Sequence, residues 1–287
     1  MTSRNAGRHC LSSGPRARDN NDGETMMTKT LTQSLIHTAG IAALALSATS
    51  APAAEPLKIG ISAEPYPPFT YKDADGSWTG FEVELGQALC DQMQADCAIT
   101  PTGWSGIFPA LDSGKIDMIM NSLSITDKRK RVIDFTDPYY YTPAAYVTAR
   151  DSDLQIPDGL DGKILGVQGS TTNATFARRK LADTGVELKI YDRQEQANRD
   201  LLAGRVDAIL ADKIAMTEFV KRDEAQGYEI RATAPHDPAF GEGVGIGLRQ
   251  EDDALRKKLN TAIASVLESG QCAELSRKYF NTDICSD

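Results

Sequence analysis

Polar and charged side chains of opposite binding preferences follow three predicted buried strands. Arg129, Thr171 and Asp212 each come after the end of a different strand. In α/β sheets, ligands bind outside the carboxyl ends of the strands, so we expect these residues to meet in one crevice. An arginine and a helix N-terminus both bind carboxylates, whereas an ionised aspartate accepts hydrogen bonds from an ammonium group. The sequence therefore predicts an anion site beside a cation site, a pair suited to an α-amino acid.

Each of these features also has a purely structural interpretation. The basic run at 128–131 is typical of a solvated helix face. Ser170 and Thr171 would cap the following helix whether or not a ligand were bound there. Asp212 could in the same way cap the helix that comes after it. The joint placement of the three features at strand ends favours a binding site.

Other kinds of chemistry have little support in the sequence. Segment 241–247 is glycine-rich but does not open a helix and lacks dinucleotide-binding spacing. His236 is the only histidine after residue 53, and it lies in a proline-flanked segment without an evident Ser or Cys partner. A catalytic triad is therefore not expected. The cysteines also lack the C-x-x-C spacing of zinc sites. We expect no catalytic residue, no metal and no cofactor.

The elements that must position these residues alternate between strand and helix in two cycles. Those of the first cycle are predicted at 57–61, 81–93, 98–100, 106–111 and 116–120. After a break at 137–145, those of the second are predicted at 163–167, 171–181, 187–191, 194–202, 206–210, 214–222 and 228–231, followed by a strand at 243–248 and a helix at 252–267. Segment 113–120 resembles segment 203–210, one in each cycle. This order predicts two similar α/β lobes with mostly parallel sheets.

The first 53 residues are expected to be absent from the mature protein. Lys29 supplies a short positive region, 41–48 is apolar, and 51–53 supplies the small residues of a cleavage site after Ala53. A single buried helix is the alternative. Residues 1–25 are polar, and we expect the translated protein to start at Met26 or Met27 instead of at residue 1. The chain has 31 basic and 40 acidic residues, a balance that disfavours nucleic acids and anionic membranes as partners.

The four cysteines after the export segment are Cys90, Cys97, Cys272 and Cys285. In an exported chain, four cysteines indicate two disulfides, and three pairings are open. Proximity favours Cys90 with Cys97 and Cys272 with Cys285, each closing a short loop. Free buried thiols are the alternative.

Several segments, in order along the chain, resemble the amino-acid-binding periplasmic solute-binding proteins of ABC transporters. They are Tyr66–Phe69, Gly80–Leu85, Ser122–Arg129, Asp134–Tyr140, Gly166–Thr171 and Ala203–Arg205. Within that family (family 3), the lysine/arginine/ornithine-, histidine- and opine-binding proteins are the most similar. The resemblance implies a two-lobed clamshell with two crossover hinge segments. The lobes would be 54–143 with 237–287, and 144–236. Cys90 and Cys97 resemble the disulfide pair of the basic-amino-acid branch.

The resemblance also implies roles for individual residues. Arg129 and the backbone at Thr171 would bind the ligand carboxylate, and Asp212 would bind its ammonium group. Tyr66 and Trp104 would flank the ligand side chain, where aromatic faces attract cations; core packing is the alternative. The complete set of predicted ligand-binding residues is Glu64, Tyr66, Trp104, Asn121, Ser122, Ser124, Arg129, Ser170, Thr171, Thr172 and Asp212. A distal cation would meet Glu64 or Glu82.

The resulting hypothesis is a periplasmic, monomeric receptor that is not an enzyme and that delivers its ligand to a membrane permease. A cationic amino acid (arginine, lysine or ornithine) is the first expected ligand, an opine-type conjugate the second and a polar neutral amino acid the third. Two other functions stay open. One is an enzyme similar to periplasmic cyclohexadienyl dehydratases, and the other is a soluble sensor that presents its closed form to a receptor protein.

Overall fold

The computed structural model describes residues 55–285. Its strands are β1 Leu57–Ser62, β2 Tyr71–Lys72, β3 Trp78–Thr79, β4 Cys97–Thr102, β5 Met118–Ile119, β6 Asp134–Phe135, β7 Ala144–Ala149, β8 Ile164–Gln168, β9 Glu187–Tyr191, β10 Ala208–Asp212, β11 Tyr228–Thr233 and β12 Gly247–Leu248. Its α-helices are α1 Phe81–Met93, α2 Ile107–Asp112, α3 Asp127–Lys130, α4 Thr172–Lys180, α5 Gln194–Leu202, α6 Lys213–Phe219, α7 Asp253–Glu268 and α8 Gln271–Phe280. The predicted export segment lies outside the described residues.

The first sheet has the strand order β4-β1-β5-β12-β6. Strand β1 pairs in parallel with β4 and with β5, as expected for strands joined through α1 and α2. Strand β12 comes from the far end of the chain and runs antiparallel to both of its neighbours. Helix α1 packs against α7 and α8, so the C-terminal helices cover the same sheet as the N-terminal ones.

The second sheet is formed by a continuous stretch of chain and has the order β11-β7-β10-β8-β9. Strands β8, β9 and β10 form parallel pairs, whereas β7 is antiparallel to β10 and β11. The predicted α/β fold is thus present. Each sheet is mixed but mostly parallel: four of its five strands run in the same direction, and one strand, β12 in the first sheet and β7 in the second, is antiparallel to both of its neighbours.

Two chain segments, 136–143 and 234–246, connect the two sheets. The predicted lobe boundaries, at 143/144 and 236/237, fall within or at the ends of these segments. The assignment of the two sheets to lobes that move against each other stays a prediction.

Buried aromatic side chains tie the connections to the first sheet. Phe69 is fully buried and stacks on Tyr140, with ring centroids 5.9 Å apart, and Phe280 lies 5.3 Å from Phe69. Tyr140 belongs to the connecting segment and Phe280 to α8, a helix the sequence analysis did not predict. Burying rings of this size stabilises the fold by roughly 1.5–3 kcal/mol each, so this cluster fixes the chain beside the strand ends.

The two disulfides favoured by sequence proximity are formed. The sulfur atoms of Cys90 and Cys97 lie 1.94 Å apart and join the end of α1 to the start of β4. Those of Cys272 and Cys285 lie 2.07 Å apart and join the start of α8 to the segment after it. Between residues 55 and 285, we find no helix with the length and apolar character needed to cross a membrane.

Candidate functional site

A cavity of about 530 Å³ opens at the carboxyl ends of strands from both sheets. Ten of the eleven predicted ligand-binding residues line it, namely Glu64, Tyr66, Trp104, Asn121, Ser122, Ser124, Arg129, Thr171, Thr172 and Asp212. The eleventh, Ser170, does not. The strand-end rule therefore predicted the location of this cavity.

The guanidinium of Arg129 spans the cleft. Helix α3 carries Arg129, and the Thr126 hydroxyl caps it by accepting a hydrogen bond from the Arg129 amide. One terminal nitrogen donates to the Ser124 carbonyl at 2.8 Å, and the other to the Ser170 carbonyl of the opposite sheet at 3.4 Å. Burial lowers the pKa of Arg129 to about 10, so the group keeps its charge at neutral pH. Each terminal nitrogen has a second proton with which to bind an anion.

Thr171 caps helix α4 and lines the cavity as well. Its hydroxyl accepts a hydrogen bond from the Ala174 amide at 3.1 Å and donates to the Gln168 carbonyl at 2.7 Å. The start of α4 therefore faces the cavity, and the amides of its first turn add partial positive charge there. The capping interpretation and the binding interpretation are compatible for this residue.

Ser170 contributes its carbonyl and not its hydroxyl. Its φ of 59° lies in the left-handed region, and the residue is exposed. This turn directs the carbonyl towards Arg129. The prediction that the Ser170 side chain lies in the site therefore differs from the structure, because a left-handed residue cannot be recognised from Gln168-Gly169-Ser170 alone.

Asp212 ends β10 and caps α6. One carboxylate oxygen accepts hydrogen bonds from the amides of Ile214, at 2.8 Å, and Ala215, at 3.2 Å. The other accepts the hydroxyl of Thr142. Burial raises the pKa of Asp212 to about 6. Among residues 55–285, Asp212 has no ion-pair partner, so a half-buried carboxylate faces the cavity without a cation.

Asn121 and Ser122 line the base of the cavity after β5. The Asn121 side chain accepts a hydrogen bond from the Ser62 amide at 2.7 Å, which ties the ends of β1 and β5 together. Ser122 has a φ of 50°, and its hydroxyl lies within hydrogen-bond distance, 3.0 Å, of the Tyr140 hydroxyl oxygen. Both side chains are therefore held in place before a ligand arrives.

Glu82 lies behind these residues and not in the cavity. It is 1% exposed. Its carboxylate accepts hydrogen bonds from the hydroxyls of Tyr139 and Tyr140, at 2.8 and 2.9 Å, and from the Ser122 amide at 2.6 Å. Burial raises the pKa of Glu82 to about 7. The hypothesis that Glu82 meets a ligand cation does not agree with this geometry, because both of its oxygens are already occupied by its own lobe.

Glu64, in contrast, reaches the cavity. Its carboxylate accepts hydrogen bonds from the Ser62 hydroxyl at 2.6 Å and the Trp104 amide at 3.3 Å, and Arg193 of the opposite sheet lies 3.5 Å away. Desolvation acts to raise the pKa of Glu64, but these partners more than offset it and leave the pKa lowered. Glu64 is therefore ionised at neutral pH.

The two predicted aromatic residues lie on the cavity wall. Tyr66 stacks on Phe69 with ring centroids 5.8 Å apart. The indole nitrogen of Trp104 donates to the Gly169 carbonyl across the cleft at 3.2 Å. The Arg129 guanidinium carbon lies 5.9 Å from the centroid of the Trp104 ring, so this face already contacts one cation.

Sequence reasoning missed a group of polar residues on the second sheet's side of the cavity. They are Thr142, Arg193, Gln194, Glu195, Arg199 and Arg222. Most of them belong to α5 or the residue before it, directly after β9. The strand-end rule, applied to β9 as it was to β8 and β10, would have found Arg193, Gln194 and Glu195, but not Thr142 or Arg222.

The described residues contain no group of three or more His, Cys, Asp or Glu arranged to hold a metal ion. The cavity wall instead offers four arginines, of which Arg129 bridges to the opposite sheet, the carboxylate of Asp212, hydroxyls and aromatic faces. Groups of both charges thus face one cavity.

Comparison with known proteins agrees with this geometry. Residues 57–282 match the sequence profile of the bacterial extracellular solute-binding proteins, family 3. The chain belongs to this family. It is 42% identical to the L-arginine-binding protein of Pseudomonas aeruginosa, over 85% of this chain and 96% of that protein. It is 40% identical to the histidine-binding periplasmic protein of Salmonella typhimurium, over 83% of this chain and 93% of that protein.

Solved structures give the same result. An ancestral arginine-binding protein bound to arginine superposes with a TM-score of 0.72 and 32% identity, over 78% of this chain and 97% of that one. The predicted two-lobed binding-protein fold is confirmed by this match. The relatives are named as binding proteins and not as enzymes, in agreement with the prediction of a non-catalytic family member.

Proposed function

We propose that this protein captures a free L-α-amino acid in the periplasm and delivers it to the permease of an ABC importer. A cationic amino acid such as arginine, lysine or ornithine is the proposed ligand. The observation that carries the proposal is that a half-buried Asp212, without an ion-pair partner among residues 55–285, and a cleft-spanning Arg129 lie on the walls of one cavity. The protein would act as a monomer, and nucleic acid plays no part.

The carboxylate of the ligand would bind Arg129 and the start of α4. Arg129 keeps its charge, and the amides at Thr171 and Thr172 open the helix on the other wall. Two-pronged binding by the guanidinium fixes the carboxylate in orientation as well as position. This half of the site is the same for every amino acid.

The ammonium group would bind Asp212. Its carboxylate is half-buried and partly desolvated, and an ammonium group would supply the missing countercharge. A buried charge that gains a partner is stabilised far more than an exposed one. The hydroxyls of Ser122 and Ser124 lie on the same cavity and offer further acceptors.

The side chain of the ligand would extend between Tyr66 and Trp104 towards Glu64. Aromatic faces attract a guanidinium or ammonium group by about 0.5–2 kcal/mol, and Glu64 is ionised at the cavity wall. The names of the relatives, which include arginine-binding and histidine-binding proteins, support a ligand with a nitrogen-rich side chain.

Closure of the two lobes would follow from contacts on both sides. A ligand shifts a conformational equilibrium only through a difference in affinity for the two states. A zwitterion held by Arg129 from one sheet and by Thr171 and Asp212 from the other makes its full set of contacts only in the closed form. The permease would then recognise the closed form.

A second candidate ligand is an opine-type conjugate with an additional carboxylate. Three further arginines, Arg193, Arg199 and Arg222, line the cavity beyond the residues assigned above. They would meet an extra negative charge that a simple amino acid lacks.

Isothermal titration of the refolded mature protein against a ligand panel tests the proposal. Unfolding first removes any ligand that copurifies. We expect saturable one-to-one binding of L-arginine, L-lysine or L-ornithine. Binding of octopine alone would favour the second candidate, and no binding of any amino acid or conjugate would refute the proposed function.

A further inference from the structure

Glu64 and Arg193 form an ion pair across the cleft that the proposed ligand chemistry does not require. Glu64 follows β1 of the first sheet, and Arg193 directly precedes α5 on the second. The Arg193 Nε atom lies 3.5 Å from Oε1 of Glu64. The other oxygen, Oε2, accepts the Ser62 hydroxyl and the Trp104 amide. One oxygen of Glu64 is thus held within its own lobe, and the other faces a cation of the opposite lobe.

The local structure directs Arg193 to this partner. The Arg193 amide donates to the Gln196 side chain at 3.1 Å, which fixes the backbone where α5 begins. The nearest acidic residue in sequence on the helix, Glu195, is 3.3 Å from Arg222 and is already compensated. Arg193 therefore pairs with Glu64 and not with its own helix.

We propose that Arg193 is a specificity-determining residue, an internal cation that competes with the side chain of a cationic ligand for Glu64. This inference rests on the proposed function, in which Glu64 receives the distal charge of the ligand. Two cations on one carboxylate repel each other, so a ligand guanidinium has to share Glu64 or displace Arg193. A neutral ligand leaves the pair intact, and the pair then remains as a contact between the two lobes.

The expected change in ligand affinity is small because both side chains of the ion pair are in contact with solvent. The side chain of Arg193 is 57% exposed and that of Glu64 22% exposed, and ion pairs in water contribute little. The competition should therefore change affinities by roughly two- to fivefold. Loss of Arg193 should strengthen the binding of cationic ligands and not that of neutral ones, whereas a general loss of structure would weaken both.

The test compares L-arginine with L-citrulline, in which a neutral ureido group replaces the guanidinium. Titrations use the wild-type protein, Arg193→Gln, Glu64→Gln and the double variant. We expect Arg193→Gln to bind arginine roughly two- to fivefold more tightly and citrulline equally or less tightly. In the Glu64→Gln background, the same substitution should leave arginine affinity unchanged.

Arg205→Gln is the matched control. Arg205 belongs to the same lobe, is 59% exposed and pairs with Asp200, but it does not line the cavity. We expect this variant to retain wild-type affinity for both ligands. Melting temperatures of all variants report whether the fold is intact.

Three outcomes would overturn the inference. If Arg193→Gln weakens arginine and citrulline equally, or changes neither, Arg193 does not compete with a ligand cation while the proposed function stands. If its effect persists without Glu64, the pair is not the cause. If the wild-type protein and Arg193→Gln bind no amino acid, the proposed function fails and the inference fails with it.

Discussion

The two ends of the cleft hold their charges differently. At the end assigned to the amino-acid backbone, Asp212 and Arg129 are half-buried and have no ion-pair partner among residues 55–285, and desolvation raises the pKa of Asp212 and lowers that of Arg129. At the end assigned to the side chain, Glu64 and Arg193 are partly exposed and pair with each other. The first end is suited to the groups that all amino acids share. The second is suited to discriminate between side chains at small energetic cost.

The largest expected effect is at the end assigned to the amino-acid backbone, on removal of the Arg129 side chain. We expect Arg129→Ala to raise the Kd for every amino acid by at least about 30-fold, because losing one partner of a buried charge pair costs about 2–5 kcal/mol. Lys128→Ala, an exposed neighbour on the same helix, is the control and should bind normally. Titration calorimetry measures both, and an affinity of Arg129→Ala within threefold of wild type would refute the assignment.

The second prediction concerns Glu82, which lies behind Ser122 and whose raised pKa should make the stability of the protein depend on pH. Its pKa is raised in the folded state, from 4.5 to about 7, so the folded protein binds more protons than the unfolded chain between these pH values. Stability therefore falls as pH rises through this window, by up to about 3 kcal/mol from this group. Asp212 acts with the same sign at lower pH.

Urea unfolding of wild type and Glu82→Gln at pH 4.5 and pH 8 measures this effect. We expect the stability of wild type, relative to the variant, to be lower at pH 8 than at pH 4.5. An equal difference between the two proteins at both pH values would contradict the raised pKa.

Asp212→Asn should weaken amino-acid binding by about 10- to 100-fold, because it removes a charge-assisted hydrogen bond worth about 1.5–3 kcal/mol. Asn caps helices as well as Asp does, so the unfolding free energy should change little. Calorimetry and urea unfolding separate the two roles. Unchanged affinity would mean that Asp212 serves only as the cap of α6.

The smallest expected effect is at the end assigned to the ligand side chain, where Glu64 and Arg193 lie. We expect Glu64→Gln to reduce the preference for arginine over citrulline by roughly two- to fivefold at low salt and by less at 0.5 M salt, since exposed charges are screened. The ratio of the two Kd values at each salt concentration measures this. A preference that is unaffected at low salt would place the determinant of side-chain choice elsewhere in the cavity.

The sequence predicted most of the elements and the placement of Arg129, Thr171 and Asp212 at one cavity, because both depend on local patterns. Arg129 and Thr171 come after strands, and Asp212 ends one. The direction of β7 and β12 could not, since it depends on where the chain crosses between the sheets. Motif resemblance could not show whether a side chain or a backbone atom of Ser170 faces the cleft.

The burial of Glu82 and the pairing of Arg193 were also beyond sequence reasoning. Glu82 is surrounded by Tyr139 and Tyr140, far away along the chain, and only the fold brings them together. Arg193 meets Glu64 across two lobes. Contacts between distant segments leave no periodicity in the sequence, so these features require three-dimensional coordinates.

The most direct test of the central claim is a titration of the refolded protein with L-arginine and with agmatine, which has the same guanidinium and alkyl chain but no carboxylate. If Arg129 and the start of α4 bind the carboxylate, L-arginine should bind one-to-one and agmatine at least about 30-fold more weakly. Equal affinity for the two compounds would contradict the account, because binding would then not involve the amino-acid end of the cleft.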